Sequence, residues 1–126
     1  MERLTKSEEQ MMNIFWDEET PLTSVDIVRR EVKSTWGNGF VSNLLRSLLR
    51  KGYIKEVGMK HYTTQYAREF APSLTREEYA VKMILSITGR KLSVYKVMAA
   101  LTREEENKQE MIKELENLIS ELMEEK

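Results

Sequence analysis

The sequence predicts a mainly α-helical fold with one small β-hairpin. Three observations predict it. Four T-x-x-E/D boxes, at Thr5/Glu8, Thr23/Asp26, Thr75/Glu78 and Thr102/Glu105, stand ahead of runs whose apolar residues recur at helical spacing. In such a box the threonine hydroxyl accepts from an orphan backbone N–H and the carboxylate reaches back to the cap, so each marks a helix start. The period then changes once, in "YIKEV" and "HYTTQY", where β-favouring residues flank Gly58-Met59-Lys60 and predict a hairpin. Beyond Pro72 the apolar spacing is helical again.

Taken in order, the first predicted helix carries Met11, Met12, Ile14, Phe15 and Trp16 and ends near Asp17. Pro21 holds a turn ahead of the second, whose inward residues are Val25, Val28 and Val32. The third, in "NGFVSNLLRSLLRKGYI", runs from Asn38 as its cap to Gly52 as its stop. Trp16 is expected in the core, and Trp36 as a packing plug at the turn into the third helix. Three helices followed by a basic hairpin are the element order of a winged helix-turn-helix, predicted over residues 1–72.

Residues 73–126 are predicted to be C-terminal dimerisation helices. Thr75 to Ile87 carries Tyr79, Met83, Ile84 and Ile87 and stops at Gly89, and a short segment, Ser93 to Leu101, follows. The last helix spaces Met111, Leu115, Leu118 and Leu122 by four, three and four residues, a coiled-coil-like seam that Ile112 and Ile119 broaden. A lone tail cannot bury such a stripe by itself. A homodimer is therefore expected, through Tyr79, Met83, Ile87, Met111, Leu115, Leu118 and Leu122.

Bulk composition narrows the function. A chain of 126 residues with 40% hydrophobic and 33% charged residues suits one small domain or a compact domain with an appended element. Its net charge of −1 conceals an asymmetry. From Arg29 to Arg68 nine Lys/Arg face two acids, whereas from Thr102 to Lys126 four bases face nine acids. A basic middle suits a polyanion partner. The absence of cysteine excludes disulfide frameworks, thiolate metal clusters and cysteine nucleophiles. With one histidine, and with its Glu residues at solvent spacing on helices, including Glu104-Glu105-Glu106 at an expected helix start, no enzyme, cofactor or metal site is expected. Met11, Met83, Met98 and Met111 fall on apolar helix faces and read as packing, not as soft-metal ligands. No apolar run reaches membrane-spanning length and "MERLTKSEE" is not a signal peptide, so a cytoplasmic location without a membrane partner is expected.

At 100° per residue, Val41, Leu44, Leu45, Leu48 and Leu49 share one face of the third helix. Gly39, Asn43, Arg46, Ser47 and Arg50 lie opposite, with Phe40 and Ser42 on the flanks and no acid among them. Major-groove reading needs this chemistry: Asn pairs bidentately with adenine, Arg with guanine, and Ser with either. Ser42, Asn43, Arg46, Ser47 and Phe40 are therefore the expected base-reading residues on double-stranded DNA. Arg29, Arg50, Lys51, Lys55 and Lys60 are expected on the phosphate backbone, where charge in the right place suffices. Arg30, Lys33 and His61 lie in the same basic region, His61 reading as plain polar surface. The competing expectation is a winged-helix protein-interaction module that does not bind DNA.

The chain resembles the penicillinase and methicillin-resistance repressors (the BlaI/MecI/CopY type). The likeness lies in "LTKSEEQMMNIFWDEETPLTSVDIV", "NLLRSLLRKGYI", "PSLTREEY" and "ENKQEMIKELENLISEL". It implies a homodimeric winged-helix repressor on an inverted-repeat operator, released by a sensor protease or another inducer. It also implies that Leu4, Met12, Trp16, Leu44, Leu45, Leu48, Gly52 and Ile54 are structural positions. Three features depart from the family. Gly39, Phe40 and Ser47 stand where a Lys, a Thr and an Arg are usual. Ala99-Ala100-Leu101 replaces the Asn-Phe bond that is cleaved in the β-lactam branch, and the cysteine motif of the copper branch is missing.

Overall fold

The Thr5 hydroxyl accepts from the Glu8 N–H at 3.2 Å while the Glu8 carboxylate accepts from the Thr5 N–H at 2.8 Å, and from this box α1 runs over Lys6–Asp17. The computed structural model describes residues 2–30 and 36–125. Thr23/Asp26 and Thr75/Glu78 close reciprocal boxes in the same way, ahead of α2 (Ser24–Arg30) and α4 (Arg76–Thr88). Between them lie α3 (Asn38–Lys51), β1 (Ile54–His61) and β2 (Tyr66–Pro72). A 3-10 turn at Gly89–Lys91, α5 (Val94–Glu104) and α6 (Lys108–Glu124) complete the order. The mainly helical fold with one hairpin is present as predicted.

Four local expectations are corrected. Thr102 starts no helix: its hydroxyl bonds back to the Met98 carbonyl at 2.7 Å, inside α5. Glu104 then closes α5, and α6 is capped by Asn107, whose side chain accepts from the Glu110 N–H. Asn38 is the first residue of α3 rather than its cap; Gly37 holds that position without a side-chain bond. Gly58 does not turn the hairpin. It sits at a β-bulge, between the pairs Glu56–Phe70 and Gly58–Glu69, and the chain reverses over residues 62–65, where the Tyr62 N–H donates to the Gln65 carbonyl. A glycine inside a strand relieves crowding as readily as it turns a chain, and a Cβ here would come within 3.2 Å of the Glu69 carboxylate. In α2 the buried anchor is Ile27, with Val25 and Val28 half-buried; Val32 and Lys33 lie outside the described residues.

By its contacts the chain forms two compact units, Met1–Ser86 and Ile87–Lys126. The first holds the whole core. Met11, Met12 and Phe15 of α1, Ile27 of α2, and Val41, Leu45 and Leu48 of α3 close on Tyr53, Ile54 and Phe70 from the hairpin. Leu22 makes a two-way backbone bridge with Phe70, giving the hairpin a third short strand ahead of α2. Trp16 is half-buried and donates its indole N–H to the Leu74 carbonyl at 3.0 Å. Gly52 ends α3 with φ +84°, a left-handed conformation that glycine adopts without a Cβ penalty. In the second unit, neither α5 nor α6 has a buried residue.

Candidate nucleic-acid interface

Burial of the leucine stripe turns the other side of α3 to solvent. Ser42, Asn43, Arg46 and Arg50 are all exposed, and the Arg46 guanidinium donates to the Asn43 side-chain oxygen at 3.3 Å. Among the described residues the Arg50 side chain makes only a loose, exposed pair with Glu2 at 3.5 Å. Phe40 is 42% exposed at the start of the helix, its ring 5.5 Å from that of Trp36. The Arg29 and Lys55 side chains are exposed and have no hydrogen-bond or ion-pair partner among the described residues.

Three expected contacts are oriented differently. Ser47 and Lys51 turn toward α1, where the Ser47 hydroxyl and the Lys51 ammonium each donate to the Glu8 carboxylate at 2.6 Å. Lys51 keeps 8% of its side-chain surface and Glu8 2%. Helix geometry alone puts both residues near the polar face; a carboxylate 43 residues away in sequence draws the ammonium inward. Lys60 is folded back on α2, 3.4 Å from Asp26 and over the Tyr62 ring.

The electrostatics of these pairs follow from burial and partners. Burial pushes the Glu8 carboxyl up, but hydrogen bonds from Lys51, Ser47 and Thr5 and the Lys51 charge outweigh it and hold the pKa at about 2. Asp26 is likewise lowered: burial opposes ionisation, and the Thr23 N–H and the Lys60 charge prevail.

One edge of the α3 surface continues into the wing. Ser42, Arg46 and Leu49 line a cleft of about 370 Å³ with Gln65, Tyr66 and Arg68 of the hairpin and Ser24 of α2. His61 stacks on Tyr66 with ring centroids 4.4 Å apart, and Arg68 lies 3.6 Å from Glu56 and over Phe70. Sequence reasoning did not single out Gln65, Tyr66 and Arg68. The period-two alternation of Tyr66, Arg68 and Phe70 was the available signal, once the turn had been placed at 62–65 rather than at Gly58.

The residues expected at a dimer interface are spread over both units. Tyr79 is packed within the first: its ring lies 5.5 Å from Trp16 and 5.8 Å from Tyr53, and its hydroxyl donates to Glu9. Burial and the Glu9 charge push its phenol up to about 12. Met83, Met111 and Leu115 are half-buried, while Ile87, Leu118 and Leu122 are exposed, Ile87 at 68%.

Three helices around one core, a hairpin wing and an exposed basic third helix define a winged helix-turn-helix protein. Its family follows from comparison: the penicillinase repressor family model matches residues 4–121, and the chain belongs to that family. It is a DNA-binding transcriptional repressor, and the family is a non-enzymatic kind of regulator. No curated protein matches the chain. Among the described residues no helix is long and apolar enough to cross a membrane.

Proposed function

We propose that two copies of the chain bind an inverted-repeat operator, each laying α3 in a major groove with its wing along the phosphates. Residues 1–72 would make the DNA contacts and residues 73–126 the contacts between copies. The observation that carries this reading is the acid-free, exposed row Ser42, Asn43, Arg46 and Arg50, continuous with Gln65, Tyr66 and Arg68 across one cleft. Asn43 and Arg46 are assigned to base edges, with Ser42 and Phe40 beside them. Arg29, Arg50 and Lys55 hold phosphates, joined by Arg68, and by Lys60 where it can leave Asp26.

The pairing of copies is supported by the apolar surface of α5 and α6. Ile112, Leu118, Ile119 and Leu122 are exposed on a helix with no buried residue, which a second copy would cover. The α6 seam through Met111, Leu115, Leu118 and Leu122 is the proposed centre of that contact.

Selection of bound duplexes from a random pool tests the whole reading. The expected product is a dyad with half-sites about one helical turn, 34–36 Å, or a multiple of it apart. Recovery of single, unpaired half-sites would remove the dimer from the proposal, and failure to bind random duplex even at low salt would remove the α3 surface.

A further inference from the structure

Glu8 stands outside the proposed DNA surface, yet its carboxylate grips the helix that carries that surface. One oxygen accepts from the Thr5 N–H at 2.8 Å and from Lys51 at 2.6 Å; the other accepts from the Ser47 hydroxyl at 2.6 Å. Lys51 also donates to the Arg3 carbonyl at 3.1 Å. Both charges are nearly closed to solvent. A buried ion pair adds little net stability over well-packed apolar side chains, because desolvating two charges offsets their attraction. What it supplies is direction, since charge-assisted bonds are short and angularly demanding.

Ser47 and Lys51 stand four residues apart, so the two carboxylate oxygens hold two successive turns of one flank of α3. Arg46 and Arg50 each precede one of them, about 100° round the helix, on the exposed face. On the opposite flank Leu45 and Leu49 line the cleft to the hairpin and pack in or against the core that includes Phe70, through apolar burial that is non-directional. A rotation of α3 that re-aimed both arginines would cost packing on the leucine side, and would in addition strip a buried carboxylate of its Ser47 and Lys51 donors.

We propose that Glu8 is a positioning residue for DNA reading: held by Ser47 and Lys51, it sets the azimuth of α3 and so the discrimination between operator and random duplex. This rests on the reading that α3 faces the bases.

The test is anisotropy titration of the full chain at several salt concentrations, using a duplex enriched from a random pool and a scrambled one. The variants are Glu8→Leu/Lys51→Met, Ser47→Ala, Lys51→Arg and Asn43→Ala. The double variant is expected to stay folded by circular dichroism and to bind scrambled duplex with unchanged affinity and salt slope. Its preference for the enriched duplex should fall about tenfold or more, the scale of one lost base contact. Ser47→Ala should lose part of that preference, and Lys51→Arg should retain most of it. Undiminished preference in the folded double variant overturns the proposal. So does a salt slope reduced by about one unit, which would put Lys51 on a phosphate. Should the double variant not fold, Ser47→Ala decides, because it keeps the ion pair while removing one bond; undiminished preference there also overturns it. Asn43→Ala separates the two layers. If it leaves the preference intact, α3 does not read bases, and the failure belongs to that underlying assignment.

Discussion

The hydroxyls of Thr23 and Tyr62 meet at 2.7 Å, joining the buried start of α2 to the end of the wing. Asp26 accepts from the same tyrosine at 3.3 Å and from Lys60 at 3.4 Å. The wing is thus tied to the helix-turn-helix by polar bonds as well as by Phe70. Tyr62→Phe removes the tyrosine's share of this network and leaves Thr23 with one partner fewer. We expect a loss of about 1–2 kcal/mol in denaturant midpoint analysis, the usual scale for a buried hydrogen bond with a surviving partner. An unchanged midpoint would mean that the wing is held by packing alone.

Stability should fall in acid through Glu8. Its pKa is about 2 in the fold against 4.5 for an ordinary glutamate, so the carboxylate's contribution is complete above about pH 4.5 and disappears as the pH falls toward 2. Glu8→Gln should lower the melting temperature at pH 7 and flatten the decline between pH 4.5 and 2. Parallel curves for the two proteins across that interval would show that other carboxylates govern acid unfolding.

Arg50 and Asn43 should separate charge from readout. Arg50→Ala is expected to weaken binding on every duplex and to reduce the slope of log K against log salt by about one unit. Asn43→Ala is expected to lower affinity for the preferred duplex by roughly 1–3 kcal/mol and to change little on scrambled DNA. Equal losses from both variants on all sequences would contradict this division.

The α6 seam can be tested without DNA. Leu118→Glu/Leu122→Glu places charges on two exposed apolar positions, so a single copy should keep its helices while the pair dissociates. Sedimentation equilibrium is expected to show the wild-type chain at twice the monomer mass and the variant at the monomer mass. A wild-type protein that sediments as a monomer at micromolar concentration would refute the pairing.

Gly52 offers a check on the junction between α3 and the wing. With φ at +84° and nothing within 4 Å of an added Cβ, Gly52→Ala should cost about 1–2 kcal/mol through backbone strain alone, and Gly52→Asn less. Thermal melts of the two variants rank them. An alanine variant as stable as wild type would show that the backbone relaxes without loss.

Much of this architecture is local, and locally determined features are readable in a sequence. Three of the four Thr boxes form caps because donor and acceptor lie three residues apart, and the leucines of α3 face the core because helix geometry groups them. The fourth box reads the same on paper but fails because the apolar run from Val94 carries α5 through it. Gly58 fails for a related reason: a strand glycine is ambiguous until the partner strand is in register.

The amino-acid order by itself therefore determined the helices, most of their ends and the polarity of α3, all set by contacts within a turn or two. Only the tertiary structure decided which cations remain available to an anion. Arg46 and Lys51 look alike in the sequence, but Glu8 on another helix takes Lys51 out of solvent and leaves Arg46 exposed. A side chain's free charge depends on neighbours brought close by folding, and no periodicity along the chain encodes that proximity.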